Sequence, residues 1–357
     1  MSRNLIQLKT GEVINSDTIN TACFLMWGLI GDVFVRVAIL EAFKQAYPHA
    51  RITAVVDPQG KVVLENHPDV DEVYIFSRKK KPRFSYFTNM LRGVRHLRRQ
   101  HFDLSVNLYS GGSSPLLTRL IHARVRLGFD HTAALRKANN LLVKHPSLCK
   151  HWTKQLGCIL EPLGIPTTVV RQGTSYYCDQ ASLEFAQKWF ANDDHQYVAI
   201  NLGARIAEKR WELSRFVALA AAIYEKYQLC PLVLTNPGME ELATEFCQQF
   251  VVYGHFRQLP LLPLNQVAAA MRHAQFVITG DTSIMHLSFG LKLPTLVLFT
   301  YTQPEIVAPI DCLHQDCFVA NPANLDVCGN PLGSPDIPLA MALDKFGALY
   351  LQKTNMV

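Results

Sequence analysis

At 357 residues the chain exceeds the usual size of one hydrophobic core, so two domains of about 150 to 180 residues are expected. With 49% apolar and 18% charged residues, the composition is that of a folded protein and excludes extensive disorder. The net charge of +6 is modest but unevenly placed: nine Lys and Arg and no acidic residue lie between Arg78 and Arg99, a field suited to an anionic partner or simply a solvated face.

Residues 1–21 show no periodicity and are expected to form an extension. They contain no basic segment leading into an apolar core and cleavage site, so no secretory signal is predicted. The apolar stretch from Ala22 to Leu40 is broken by Asp32 and Arg36 and falls short of the about 20 residues of a membrane span. Nine cysteines without a C-x-x-C pair point to reduced thiols in a cytoplasmic protein, and Cys312, Cys317 and Cys328 lack a fourth partner at zinc-like spacing.

From Cys23 the pattern alternates. Cys23-Phe-Leu-Met-Trp27 reads as a buried strand, Gly28-Leu-Ile-Gly31-Asp32 as a turn, and Val33 to Tyr47 as a helix. Strands follow at Arg51 to Val56 and Val73 to Phe76. A helix ends the basic segment, with Phe87, Leu91, Val94 and Leu97 on one face. Phe102 to Leu108 is the next strand, then a helix over 116–122 and a short strand at Arg124 to Leu127.

The pattern weakens between Pro162 and Gln196 and resumes with a strand at Tyr197 to Leu202. Helices over 214–227, 240–249 and 265–273, strands over 231–235 and 295–299, and, after a long irregular segment, a final helix over 339–351 complete it. Strands alternating with helices predict parallel sheets covered on both faces, with ligands at the carboxyl ends of the strands. The expected division is an extension over 1–21, one domain over 22–180, a second over 181–335 and a terminal helix over 336–357.

Three groups carry candidate chemistry. Gly31-Asp32 places a carboxylate at a helix start, where the macrodipole favours its ionised form; it reads as a helix cap or an available base. Asn201-Leu-Gly-Ala-Arg205-Ile-Ala-Glu-Lys209-Arg-Trp211 is a glycine turn with a cation suited to a diphosphate, or a surface loop. Phe276-Val-Ile-Thr-Gly-Asp281-Thr-Ser-Ile-Met-His286 reads as strand, tight loop and helix, with Thr282 and Ser283 at a helix N-terminus that either accepts a phosphate or is simply capped.

The turn containing Asp69-Val-Asp71 is assigned a structural rather than a metal-binding role. The G-x-x-G turn is not a G-x-G-x-x-G dinucleotide fingerprint, which disfavours an NAD(P)-dependent oxidoreductase.

Together, Gly31-Asp32, Lys209-Arg-Trp211 and Asp281-Thr-Ser-Ile-Met-His286, in this order and spacing, resemble glycosyltransferase family 9, the heptosyltransferases of lipopolysaccharide core synthesis. The resemblance runs from Ala22 to Pro309 and includes Asn66-His-Pro-Asp-Val-Asp-Glu-Val73. It implies a GT-B fold, two Rossmann-like doubly wound domains facing a central cleft, with the acceptor on the first and a nucleotide-sugar on the second.

By the same resemblance Asp32 is the catalytic base. Lys209, Asp281, Thr282, Ser283 and His286 bind the donor, and Glu240 or Glu241 meets its ribose. Gly31 falls on the acceptor side, where the charge of Lys79, Lys80 and Lys81 would attract an anionic glycolipid at the inner-membrane surface.

The chain departs from the family's pattern in two places. Ser283 stands where glycine is usual, and Thr300-Tyr-Thr-Gln-Pro-Glu305 replaces Gly-Pro-Thr-Asp-Pro.

The implied reaction is an inverting, metal-independent transfer of heptose from ADP-heptose to a lipopolysaccharide inner-core acceptor, with no cofactor and no nucleic acid. It would take place in the cytoplasm or peripherally on the inner membrane. A transferase using another nucleotide-sugar and a non-catalytic nucleotide-binding member are the alternatives.

Overall fold

The computed structural model describes residues 5–77, 83–109, 111–146, 151–204 and 206–356. By internal contacts the chain divides into two compact units, Met1–Thr174 and Ser175–Val357. The division precedes the boundary expected after residue 180. The cause is local: the Tyr176 backbone N–H donates to the Gly290 carbonyl at 3.2 Å, which ties the lead-in to the second unit.

In the first unit a hairpin of β1 (Leu5–Gln7) and β2 (Val13–Asn15) precedes the sheet. Then follow β3 (Thr21–Leu25), α1 (Ile30–Ala46), β4 (Arg51–Val56), α2 (Lys61–Leu64), β5 (Glu72–Ile75), α3 (Arg83–Arg98) and β6 (Leu104–Asn107). The unit continues with α4 (Ser114–Leu120), β7 (Val125–Phe129), α5 (Ala133–Ala138), β8 (Leu141–Val143) and α6 (Trp152–Gly157).

The strands pair in parallel in the order β5-β4-β3-β6-β7-β8. Central strands covered on both faces have no solvent side, and for that reason Ala22 to Leu25 are all buried rather than alternating. Asp71, in the Asp69-Val-Asp71 turn, accepts the Ile52 backbone N–H at 2.7 Å and so fixes the start of β4.

The second unit repeats the plan. It contains α7 (Gln180–Trp189), β9 (Gln196–Asn201), α8 (Leu213–Tyr227), β10 (Leu229–Leu234), α9 (Glu240–Phe250), β11 (Arg257–Gln258), α10 (Leu264–Met271) and β12 (Ala274–Gly280). After these come α11 (Ser283–Gly290), β13 (Thr295–Phe299), α12 (Pro304–Val307), β14 (His314–Phe318), a hairpin of β15 (Ala320–Leu325) and β16 (Pro331–Gly333), and α13 (Leu339–Thr354).

Its parallel order is β11-β10-β9-β12-β13-β14. The terminal helix is no appendage, because Ala342, Phe346 and Leu349 of α13 lie in the same core cluster as Phe216, Phe246 and Phe276. Among the described residues no helix is long and apolar enough to cross a membrane.

Four expectations are corrected. Residues 1–21 are more than an extension: Ile6, Leu8, Ile14 and Ile19 are buried, and the Lys9 N–H donates to the Asn140 carbonyl beside β8. Three-residue strands are too short to show a period, which is why the sequence conceals them. Among the described side chains of α3, Val94 and Leu97 are buried, with Met90 packed partly against them, whereas Leu91 is exposed; the Phe87 side chain lies outside the described residues. The segment before α13 holds β14 and a hairpin where an irregular run was expected.

The fourth correction concerns the thiols. Seven described cysteines are free and Cys328 is disulfide-bonded, so the expectation of uniformly reduced thiols does not hold. Burial pushes the Cys312 and Cys317 thiols up to about 12.

The start of the second sheet is held by a polar knot. Asp193 accepts from the Arg257 guanidinium at 2.7 Å and the Tyr197 hydroxyl at 2.7 Å, and pairs with His195 at 2.9 Å. Burial alone would raise the Asp193 pKa, but the hydrogen bonds from Tyr197, His195 and Arg257 outweigh it and hold the carboxyl well below the usual range.

Two predictions follow from this packing. Ile14→Ala should destabilise the protein by about 2 to 5 kcal/mol in urea unfolding, the cost of a buried cavity; a loss below about 0.5 kcal/mol would show that the hairpin is not part of the fold. Asp193→Asn should cost about 1 to 3 kcal/mol at neutral pH. Because the folded pKa is depressed, the wild-type advantage is complete above the ordinary carboxylate value near about 4 and fades as pH falls through the folded value. Parallel stability curves for the two proteins down to low pH would contradict that linkage.

Candidate active site

In the second sheet, the connection leaving β9 leads to β10 on one side, while β12 lies on the other and leads away to β13. A parallel sheet opens a crevice where its connections diverge, at the carboxyl ends of those two central strands. Polar residues collect there at the end of otherwise apolar strands.

Asn201 closes β9 and is 1% exposed. Its amide donates to the Thr279 hydroxyl at 2.9 Å and the Thr282 hydroxyl at 3.1 Å, and its carbonyl oxygen accepts from the amide of Asn236 after β10. Three strand ends are thereby held by one side chain. Thr282 is the N-cap of α11 and accepts the Ile284 N–H at 3.3 Å, which leaves the remaining first-turn amides as potential anion donors. Ser283 is the first helical residue and is not among those with positive φ, so a side chain is tolerated where the family pattern has glycine.

Beside this helix start, the Lys209 ammonium lies 3.6 Å from the Asp281 carboxylate and 4.1 Å above the Tyr301 ring. Both charged groups are largely shielded from solvent, with side chains 19% and 11% exposed. The Thr302 hydroxyl donates to Asp281, and the Thr300 hydroxyl donates to the Lys209 carbonyl at 2.7 Å. The loop carrying Lys209 is anchored by Trp211, whose buried indole N–H donates to the Ile337 carbonyl at 2.9 Å, and by Arg210, whose Nε donates to the Ala204 carbonyl at 2.9 Å. Gly203 begins that loop, and a Cβ there would stand 2.2 Å from the Met239 sulfur, so any larger residue would displace that side chain.

His286, one turn into α11, is buried, whereas Glu240 and Glu241 in the first turn of α9 are exposed. The structure thus gathers Lys209, Asp281, Thr282 and Ser283 around one helix start. Asn201, Asn236, Thr279, Tyr301 and Thr302 complete the cluster and went unassigned in the sequence reading. A polar residue at the end of an apolar strand, as at Asn201, was the available signal.

The first unit has its own divergence between β3 and β6, and Gly28 to Asp32 lie at the end of β3. Asp32 is half-buried in the first turn of α1, and its Oδ2 accepts the Leu29 N–H at 2.7 Å. Gly28 has φ +142°, and a Cβ there would stand 2.6 Å from Asp32 Oδ2, so glycine makes room for the carboxylate.

The Gly28 N–H donates to Asp57 at 3.3 Å and its carbonyl accepts from Gln59 at 3.1 Å, which fixes the turn on both sides. The cap uses one oxygen of Asp32 and leaves acceptor capacity on the carboxylate. Gly31 is half-buried in the same turn. Lys79, Lys80 and Lys81 lie outside the described residues.

A family model described as glycosyltransferase family 9 (heptosyltransferase) matches residues 90–327. The chain belongs to that family. It is accordingly a glycosyltransferase, and its paired six-stranded parallel sheets are those of the GT-B fold.

A lipopolysaccharide heptosyltransferase 3 of Escherichia coli is 25% identical over 283 residues, covering 76% of this chain and 81% of that one. A glycosyltransferase family 9 structure from Veillonella parvula superposes with a TM-score of 0.79 at 20% identity, covering 93% and 97% of the two chains. The E. coli heptosyltransferase WaaC with ADP-2-deoxy-2-fluoro heptose gives 0.69 at 20% identity, covering 92% and 99%.

Asn201→Ala should cost about 1 to 3 kcal/mol in denaturant unfolding, because it strips partners from Asn236, Thr279 and Thr282 inside the crevice. A stability equal to wild type would show that these groups are satisfied without it.

Proposed function

We propose that this glycosyltransferase moves a heptose from ADP-heptose to a hydroxyl of a lipopolysaccharide inner-core acceptor, inverting the anomeric centre without a metal ion. The observation that carries the reading is the cation Lys209 held beside the capped start of α11, a pair of positive features matched to a diphosphate. The E. coli relative named as a lipopolysaccharide heptosyltransferase and the WaaC structure with a fluorinated ADP-heptose support the choice of donor and acceptor class.

In the proposed step Asp32 takes the proton of the acceptor hydroxyl. The hydroxyl oxygen forms a bond to the anomeric carbon, and the bond from that carbon to the β-phosphate oxygen breaks. ADP leaves with the electron pair, and Lys209 and the first amides of α11 stabilise the charge that develops on it. His286 and the exposed Glu240 and Glu241 are assigned to the remainder of the donor. Gly31 contributes to the acceptor side, and the positive run at Lys79, Lys80 and Lys81 to attraction of the anionic glycolipid at the cytoplasmic face of the inner membrane.

The test combines two variants with an assay of ADP release and calorimetry. Asp32→Asn should lower kcat by about 10² to 10⁴ while ADP affinity stays close to wild type. Lys209→Ala should weaken ADP binding by about 1.5 to 3 kcal/mol. Near-normal turnover in the first variant would reduce Asp32 to a helix cap, and unchanged affinity in the second would remove Lys209 from the donor site.

A further inference from the structure

The segment Thr300-Tyr-Thr places a large aromatic residue at the end of β13, and Tyr301 is 44% exposed. Burial therefore does not account for its position. Two hydrogen bonds on this segment do: the Gly333 N–H donates to the Tyr301 carbonyl at 2.9 Å, and the Thr300 hydroxyl donates to the Lys209 carbonyl at 2.7 Å.

Gly333, in β16, can approach so closely only as glycine, since a Cβ there would stand 2.4 Å from the Phe299 carbonyl and 2.8 Å from the Tyr301 nitrogen. Loop and hairpin thus fix the ring beneath the Lys209 ammonium at 4.1 Å, within the range at which a ring quadrupole attracts a cation.

We infer that Tyr301 is a positioning residue for Lys209: its ring face keeps the ammonium in the crevice while the cation exchanges the Asp281 carboxylate for the phosphates of a nucleoside diphosphate. The inference rests on the reading of this crevice as a diphosphate site. The physical argument concerns what a lysine does when its counter-ion changes.

The lysine stem has many rotamers, and a cation held by Asp281 alone would follow that carboxylate, which itself repels an incoming phosphate. A neutral aromatic face makes no such competition. It holds the charge through quadrupole attraction and leaves the ammonium hydrogens directed elsewhere free to donate. Thr302, which donates to Asp281, gives the carboxylate a partner that stays when Lys209 turns to phosphate.

The experiment compares Tyr301→Leu, which removes the ring, with Tyr301→Phe, which keeps it, in the full-length protein. ADP and adenosine are the calorimetric probes, because only ADP carries the phosphates that Lys209 addresses. The leucine variant should bind ADP about three- to tenfold more weakly with adenosine binding unchanged, and the phenylalanine variant should bind both like wild type. Wild-type ADP affinity in the leucine variant, or equal losses for ADP and adenosine, would overturn the assignment.

A second readout needs no nucleotide. In protein labelled at lysine Cε, the Lys209 resonance, assigned by its loss in Lys209→Arg, should be shifted upfield by the ring current in wild type and Tyr301→Phe and move to the ordinary lysine position in Tyr301→Leu. An unshifted wild-type resonance overturns the pairing of ring and cation. A shifted resonance in a wild type that binds no ADP upholds the pairing and overturns the diphosphate reading of the crevice.

Discussion

The organisation of the second unit depends on one buried carboxamide. Asn201 sits where the connections of the sheet diverge, and its donors and acceptor reach residues after β9, β10 and β12 at once. Strand ends at such a point are held by no further ladder bonds, so something else must fix their spacing. A planar amide with two donors and an acceptor does this at 1% exposure, and as a buried polar group it is stable only while those partners are present. The cap of α11 and the lysine loop are both built on that arrangement.

The first unit uses a different device at its corresponding strand end. There the chain turns through Gly28 at positive φ, and the absence of a Cβ gives Asp32 the space to lie against its own helix start. Backbone bonds to Asp57 and Gln59 fix the turn. Each unit therefore presents a charged group at a helix N-terminus, but with opposite sign. The first offers a carboxylate, and the second a lysine beside the first turn of α11. A base and an anion binder are the two kinds of group that a transfer from a nucleotide-sugar needs.

The departures from the family pattern have physical readings as well. Ser283 occupies an ordinary helical position, so the backbone has no need of glycine there. Tyr301 is held by the hairpin after β14 and lies under Lys209, where a smaller residue would leave the cation with the carboxylate alone.

By itself the sequence determined the two runs of alternating strands and helices and the glycine turns, and its three motifs carried the resemblance to glycosyltransferase family 9. Those features are local: an apolar run, a period of three or four, or a Gly-Asp pair reads the same whatever surrounds it. Short elements such as β1, β2 and β16 were not legible, because three residues carry no period and their burial is set by distant partners such as Asn140 or Phe299. Nor did periodicity place Leu91, which the helical pattern put on the buried face and the fold turns outward. Only the tertiary structure decided that Asn201, Thr279 and Thr282 meet, that Lys209 chooses Asp281 and Tyr301 from among all possible partners, and that Gly333 lies against Phe299. These pairs are separated by 30 to 90 residues or so, and side-chain chemistry acts over a few ångströms that only the packed sheet supplies.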